Sequence, residues 1–343
     1  MDQISIIGLD LAKGVFQVVG RNAAGEKVLV RQLRRSQVEP FFAKLEPGVV
    51  AMEACASAHF WARRLQALGH DVRLIPPIYV KPYVVRNKND ARDADGLSLA
   101  VQRPDIPTVQ IKQPEQQARA SLHRVRDLLV RQRTQVVNQI RGLAGEYGLV
   151  AREGREGLKG LIVLIQQAAD LPDLARQALL VQARHHGELG QKLDELTAQI
   201  CAQARACEQA RRLMTIPGIA EIGADALIAR LPDASMFRSG RDLSAWLGLT
   251  RLDHSTGGKP RTQGPISKRG DRTLRRLLVL GATSVIARQR RTGKLDPWIA
   301  GLLQRRPFKV AATALAAKMA RIVWALLVRG ETYQSGHQPK LAA

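Results

Sequence analysis

A chain of 343 residues with 53 Lys and Arg against 30 Asp and Glu carries a formal charge of +23, which excludes an ordinary near-neutral metabolic enzyme and points to an anionic polymer as partner. At 45% hydrophobic residues the chain can bury a real core, which excludes disorder throughout, and its length suggests two domains or more. Aromatic residues are only 4%, so phosphate contacts from Arg and Lys are expected rather than a surface of base-stacking rings.

The chain opens on a β-branched run, Ile4 to Asp10, that ends in a carboxylate, and short runs over 15–19 and 27–32 follow after Gly-containing turns. These predict a three-strand meander. A helix is predicted from Ser36, with Ser36 as N-cap and Glu39 completing a capping box. Residues 49–53 read as a buried strand, 57–68 as a helix stopped by Gly69, and 71–75 as a last strand stopped by Pro76-Pro77. The order β-β-β-α-β-α-β followed by a helix predicts an RNase H-like α/β domain over 1–110.

Four acids stand where such a fold could use them. Asp10 ends the first strand, Glu53 ends the fourth, and Asp90 and Asp93 lie at i and i+3 on one face of the next helix. First and fourth strands are neighbours in this topology, so Asp10 and Glu53 would share one sheet edge and face the helical pair. Four such oxygen donors suit two Mg2+ ions, roughly 3.5–4 Å apart, that stabilise the attacking and leaving oxygens of phosphoryl transfer. Asp95 beside them reads as a surface acid. An actin-like sugar kinase also opens with Ile-Gly-Leu-Asp, but a second Asp-x-Gly-Gly phosphate loop is missing.

Over 111–210 the pattern changes to long helices. Leu122, Val125, Leu128, Leu129, Val136 and Ile140 form one stripe, and Leu189, Leu193, Leu196 and Ile200 another, which predicts an antiparallel helical hairpin or coiled coil. His185-His186 has no ligand-spaced partner and reads as a turn. Residues 211–330 form a mostly helical third segment, followed by a tail over 331–343. Its Met214-Thr-Ile-Pro-Gly218-Ile-Ala-Glu-Ile-Gly-Ala224 has the form of a helix-hairpin-helix turn that holds phosphate on backbone amides, with Ala220 in place of the usual second glycine.

The positive charge is concentrated here: residues 211–343 hold 24 basic against 8 acidic groups, an excess of +16. In His254-Ser255-Thr-Gly-Gly-Lys259, small residues surround a hydroxyl within a dense basic field, as a serine nucleophile attacking a phosphodiester would require. Lys268, Arg269, Arg272, Arg275 and Arg276 fall at helical spacings and predict a phosphate-binding helix face, with Ser267 as its N-cap. Cys55, Cys201 and Cys207 form no C-x-x-C pair, which supports neither a zinc module nor a disulfide framework and fits a reducing cytosol. No apolar run reaches the ~18 residues of a membrane span, so a cytoplasmic protein without a membrane partner is expected.

Taken together, the chain resembles the DEDD transposases of insertion sequences, described as bridge-RNA-guided recombinases with a RuvC-like domain. The resemblance rests on Ile-Gly-Leu-Asp10-Leu-Ala-Lys, Met-Glu53-Ala, Asn-Lys-Asn-Asp90-Ala-Arg-Asp93-Ala, Thr-Ile-Pro-Gly-Ile, Ala-Trp-Leu-Gly-Leu, His-Ser-Thr-Gly-Gly-Lys and Ile-Ser-Lys-Arg-Gly-Asp. It implies a RuvC-like domain whose Asp10, Glu53, Asp90 and Asp93 bind Mg2+, a coiled-coil middle, and a C-terminal transposase domain with Ser255 as nucleophile. It implies as partners donor and target DNA, a structured guide (bridge) RNA, and further copies of the chain in a homodimer or homotetramer. That family commonly has Ser-Ser-Gly where this chain has Ser255-Thr256-Gly257, so Thr256 is the alternative nucleophile. The competing function is a RuvC-like junction nuclease in which metal-activated water cuts and no covalent intermediate forms.

Overall fold

The computed structural model describes residues 3–84, 90–231, 233–252, 254–256, 259–261 and 264–334; for 254–256 and 259–261 it describes the backbone alone. The chain divides into two compact units, 1–113 and 114–343.

In the first unit the order is β1 (Ile4–Asp10), β2 (Val15–Asn22), β3 (Lys27–Arg34), α1 (Val38–Phe42), β4 (Val49–Glu53), α2 (Ala58–Ala67), β5 (Asp71–Ile75), α3 (Pro77–Val80) and α4 (Asp90–Ala100). The sheet runs β3-β2-β1-β4-β5: the first three strands form an antiparallel meander, and β4 and β5 run parallel to β1. Parallel central strands need cover on both faces, which is why 49–53 is a nearly continuous apolar run. On one face Ile7, Leu9, Val50 and Met52 pack with Trp61 and Leu65 of α2; on the other, Ala51 and Ile75 pack with Val80, Leu97 and Ala100.

The first helix does not begin as its sequence suggests. A 3-10 turn over Arg35–Gln37 comes first, and the backbone N–H of Arg34 donates to the Gln37 side chain at 2.8 Å, so Ser36 is not a cap. Glu39 is drawn away to Arg64 of α2, at 2.5 and 2.8 Å.

In the second unit, α5 (Pro114–Gly145), α6 (Gly154–Gln167) and α7 (Asp173–Ala206) form a long hairpin. Arg126 of α5 bonds Thr197 of α7 at 3.0 Å, while Val136 and Ile140 share a cluster with Leu179 and Leu189, so α5 and α7 run antiparallel. His185-His186 lies within α7 and is not a turn. The stripe predicted on α5 holds at Val136 and Ile140, with Leu129 packed against the same cluster. Val125 and Leu128 are exposed, and the buried positions are Ala120 and His123, because this end of α5 packs on a helix that offers it a carboxylate (Asp225).

The remainder comprises α8 (Glu208–Met214), α9 (Glu221–Arg230), α10 (Gly240–Trp246), the short strands β6 (His254–Thr256) and β7 (Lys259–Arg261), α11 (Arg272–Arg291), α12 (Pro297–Arg305) and α13 (Phe308–Arg329). Their core joins Leu213, Ala224 and Leu227 to Leu274, Leu278, Met319 and Val323. By length and composition α13 could cross a membrane, with mean hydropathy 1.6 over its most apolar window. Eight of its side chains are instead buried in this core, and Lys318 and Arg321 interrupt the run. Beyond it, Tyr333 donates its backbone N–H to Thr215 Oγ1 at 2.9 Å, so the chain is held through that residue.

At the hairpin between α8 and α9, Gly218 has a positive φ of 91° and lies directly on α11. A Cβ built on Gly281 would come within 2.1 Å of the Gly218 carbonyl oxygen, so only a glycine pair permits this backbone-to-backbone contact.

Candidate active site

The β1–β4 register sets the acids. Leu9 pairs with Met52, so the next residues along these parallel strands, Asp10 and Glu53, emerge side by side at the carboxyl edge of the sheet. Against that edge stands the first turn of α4, with Asp90 and Asp93 one turn apart. Carboxylate oxygens of Asp10, Asp90 and Asp93 lie within 4.8 Å of one another. Glu53 lines the same cleft, of about 690 Å3, but is not one of the three whose oxygens converge. Asp95 is directed elsewhere: Arg21 and Lys27 hold it at 2.5 and 2.8 Å, and Arg21 also donates to Ser98 at 2.9 Å, which ties α4 to β2 and β3.

The approach of α4 to β1 depends on Gly8. A Cβ there would lie 1.9 Å from the Ala94 carbonyl oxygen and 2.8 Å from the Ser98 nitrogen, two backbone atoms that cannot swing aside. Gly8→Ala is therefore expected to push α4 off the sheet, with an overpacking cost of about 1–3 kcal/mol. Displacing Asp90 and Asp93 by about 1 Å relative to Asp10 should cost strand cleavage on the order of 10²-fold. Urea unfolding and a cleavage assay on the same preparation check this; a variant with wild-type cleavage would show that the close contact does not set the site.

Two residues of the cleft escaped the sequence reading. Cys55 lines it, and burial pushes the thiol above its ordinary value, with the charges of Glu53 and Asp10 adding to the rise. The oxygens that converge in the cleft are hard carboxylate donors, the set suited to Mg2+. Lys81 lines the cleft as well and brings a cation beside the acids.

The serine segment forms a two-stranded ribbon rather than an open loop. Ser255 pairs with Pro260, and Thr256 with Lys259, across β6 and β7. At its base Arg251 bridges Ile266, and the Ser267 N–H donates to the Thr250 carbonyl at 2.8 Å. The side chains of Ser255, Thr256 and Lys259 lie outside the described residues, as do Gly257 and Gly258.

The predicted basic helix face is divided by the structure. Lys268 has φ +53°, incompatible with a helix interior, and α11 starts only at Arg272, capped by Asp271, whose carboxylate accepts from the N–H groups of Thr273 and Leu274 at 2.8 and 2.9 Å. Ser267 is thus not the cap, and Lys268 and Arg269 sit exposed in the preceding loop. Arg275 is turned inward and donates to the carbonyls of Leu247 and Arg269 at 2.9 and 3.1 Å. Arg276 pairs with Asp127 of α5 at 2.6 Å, and Arg230 joins the group through Asp271 at 3.2 Å. Arg272 is exposed at the start of the helix. Gly218 borders a hollow of about 390 Å3 with Ser284 and Arg288, but its carbonyl is pressed on Gly281.

Residues 7–148 match the DEDD transposase model, a stretch that holds all four acids, and residues 210–295, which hold the serine segment, match the model described as transposase IS116/IS110/IS902 family. A probable family 20 transposase from Pseudomonas aeruginosa is 48% identical over 97% of this chain and 99% of its own length. The transposase for insertion sequence element IS1328 of Yersinia enterocolitica is 39% identical over 97% and 99%, and that for IS1111A of Coxiella burnetii is 38% identical over 98% and 93%. Matches of this extent place the chain in the IS116/IS110/IS902 family of insertion-sequence transposases.

Proposed function

We propose that this transposase cuts and rejoins donor and target DNA under the guidance of a structured RNA encoded by its element, with Mg2+ held by Asp10, Glu53, Asp90 and Asp93 and with Ser255 as nucleophile. The observation that carries the reading is the convergence of Asp10, Asp90 and Asp93 within 4.8 Å at the carboxyl edge of β1. Three carboxylates this close repel one another unless a cation lies among them. Mg2+ bound there would offset charge on the attacking and leaving oxygens of a phosphodiester.

The chain's own part follows from its residues. The Ser255 Oγ forms a bond to phosphorus as the bond from phosphorus to one sugar oxygen breaks; the serine proton passes to water and the freed sugar oxygen takes one up. Rejoining reverses these changes with a sugar hydroxyl of the partner strand. Basic residues around the ribbon, Lys259, Lys268, Arg269 and Arg272 among them, favour both the bound phosphate and the added charge of the transition state. The excess of +16 over 211–343 supports nucleic acid as substrate and guide, and assembly as a dimer or tetramer belongs to the same reading.

The test is incubation of the protein and its co-purified RNA with labelled DNA carrying the element junction and Mg2+, followed by denaturing electrophoresis. A protein–DNA band is expected with the native chain and none with Ser255→Ala. A band that persists in Ser255→Ala and disappears in Thr256→Ala moves the role to Thr256. Free cleaved strands, unchanged by either substitution, would establish the junction nuclease that cuts with water.

A further inference from the structure

Most cations of this molecule that stand near an acid are neutralised by it, but one region has almost no acid to offer. Residues 284–329 contain ten Lys and Arg and a single acid, Asp296. That acid is consumed locally: its carboxylate accepts from the N–H groups of Trp298 and Ile299 at 2.9 and 3.2 Å and caps α12. Among the described residues none of these ten cations makes a salt bridge, whereas Arg276, earlier on α11, is paired with Asp127.

The cations are also gathered. Arg290 at the end of α11 stacks over Phe308 at the start of α13, with 5.8 Å to the ring centroid, which brings the C-terminal end of α11 to the N-terminal end of α13. Arg288, Arg291, Lys294, Arg305, Arg306 and Lys309 surround that junction, and all six are exposed. Like charges so placed repel and give the isolated fold nothing, so a polyanion is the complementary occupant. At this junction Arg290 stands over one face of Phe308 and Lys318 over one face of Trp298, at 4.7 Å from the ring centroid, so the rings are themselves engaged by cations. Phosphate contact, and not base contact, is what this surface is built to make.

We propose that the junction of α11, α12 and α13 is a nucleic-acid-binding surface separate from the serine ribbon, which grips the phosphate backbone of a duplex without reading its sequence. The inference rests on the transposase reading only in taking nucleic acid as the polyanion; it needs neither the acids nor Ser255. Its role is to hold a helical segment, DNA or the guide RNA, away from the reacting strands. DNA and RNA duplexes share the backbone chemistry, and the experiment separates them.

Binding of the full-length protein to labelled 20-base-pair DNA, 20-base-pair RNA and single-stranded oligo(dT) is measured in EDTA over a series of KCl concentrations. Two variants are compared with wild type, Arg288→Gln/Arg291→Gln and Arg305→Gln/Arg306→Gln. Each should weaken duplex binding several-fold and lower the slope of log K against log salt by roughly 0.9 for each phosphate contact removed. Thermal unfolding should not change, because the side chains are exposed and unpaired by any acid. A loss with one duplex only still supports the surface and names its occupant. Unchanged slopes for both duplexes, or a loss confined to oligo(dT), overturn the proposal. Because EDTA silences cleavage, failure here leaves the strand-transfer reading standing, and failure of the Ser255 experiment leaves this surface standing.

Discussion

Asp10→Ala is expected to lower strand cleavage by at least about 10²-fold, the scale on which losing one group aimed at a reacting phosphate acts. Asp10 is held by pairing with Gln17 of β2, one residue beyond the last β1–β4 pair, Leu9 with Met52. Asp90 and Asp93 lie on the first turn of α4 and are outside the sheet. Loss of Asp10 removes one of three converging carboxylates, and would weaken the hold on the proposed Mg2+. A second readout follows by linkage: Mg2+ that binds only the folded protein raises the midpoint of thermal unfolding. Addition of MgCl2 should raise the wild-type midpoint and leave that of Asp10→Ala in place. Cleavage within threefold of wild type, together with a preserved Mg2+ shift, would show that the cluster is not the metal centre.

The largest stability loss is expected at Asp225, in the interior of the second unit. Its side chain is fully buried on α9, where Arg119 donates to one carboxylate oxygen and His123 Nε2 to the other, both at 2.9 Å. Asp225→Ala leaves a guanidinium and a buried imidazole facing an apolar gap, at a cost of about 3–5 kcal/mol. For a unit of this size the thermal midpoint should fall by roughly 10 °C. Adding His123→Phe and Arg119→Met to Asp225→Ala should recover part of the loss, since replacing a whole buried ionic group by apolar residues is far less damaging than orphaning its members. A single substitution that moves the midpoint by less than about 2 °C would mean that water already reaches the group.

How much of this was legible in the sequence depended on whether a residue's place is decided locally. Strands β1, β4 and β5 have their predicted bounds, because each is a short apolar run closed by a carboxylate or by Pro76-Pro77. Asp10 and Glu53 followed from those bounds, and Asp90 and Asp93 from helical spacing. Their convergence was not complete in the predicted form: Glu53 shares the cleft without joining the other three. Gly8 was read as part of a motif, while its reason, a helix backbone lying on a strand backbone, exists only after the two have packed. The same holds for Asp225: an acid between alanines signals something unusual, but its partners are about a hundred residues away on α5. The basic face is broken for a local reason: Lys268 and Gly270 both have positive φ, where no helix can run.

The burial of α13 sets the order in which the two halves of the molecule can be completed. The sheet and its acid cluster are closed by contacts within residues 1–113, so nothing made later is needed to finish them. The core behind the ribbon joins Ala224 and Leu227 to Met319 and Val323, nearly a hundred residues further on. Synthesis proceeds from the N-terminus, and non-local contacts form last. While the chain is still growing, the unit that holds the acid cluster is therefore mature while the more basic one lacks the helix on which its interior closes. A nascent chain thus completes its acid cluster before the unit that carries the serine segment, and that second unit closes only when its most apolar helix is withdrawn from water.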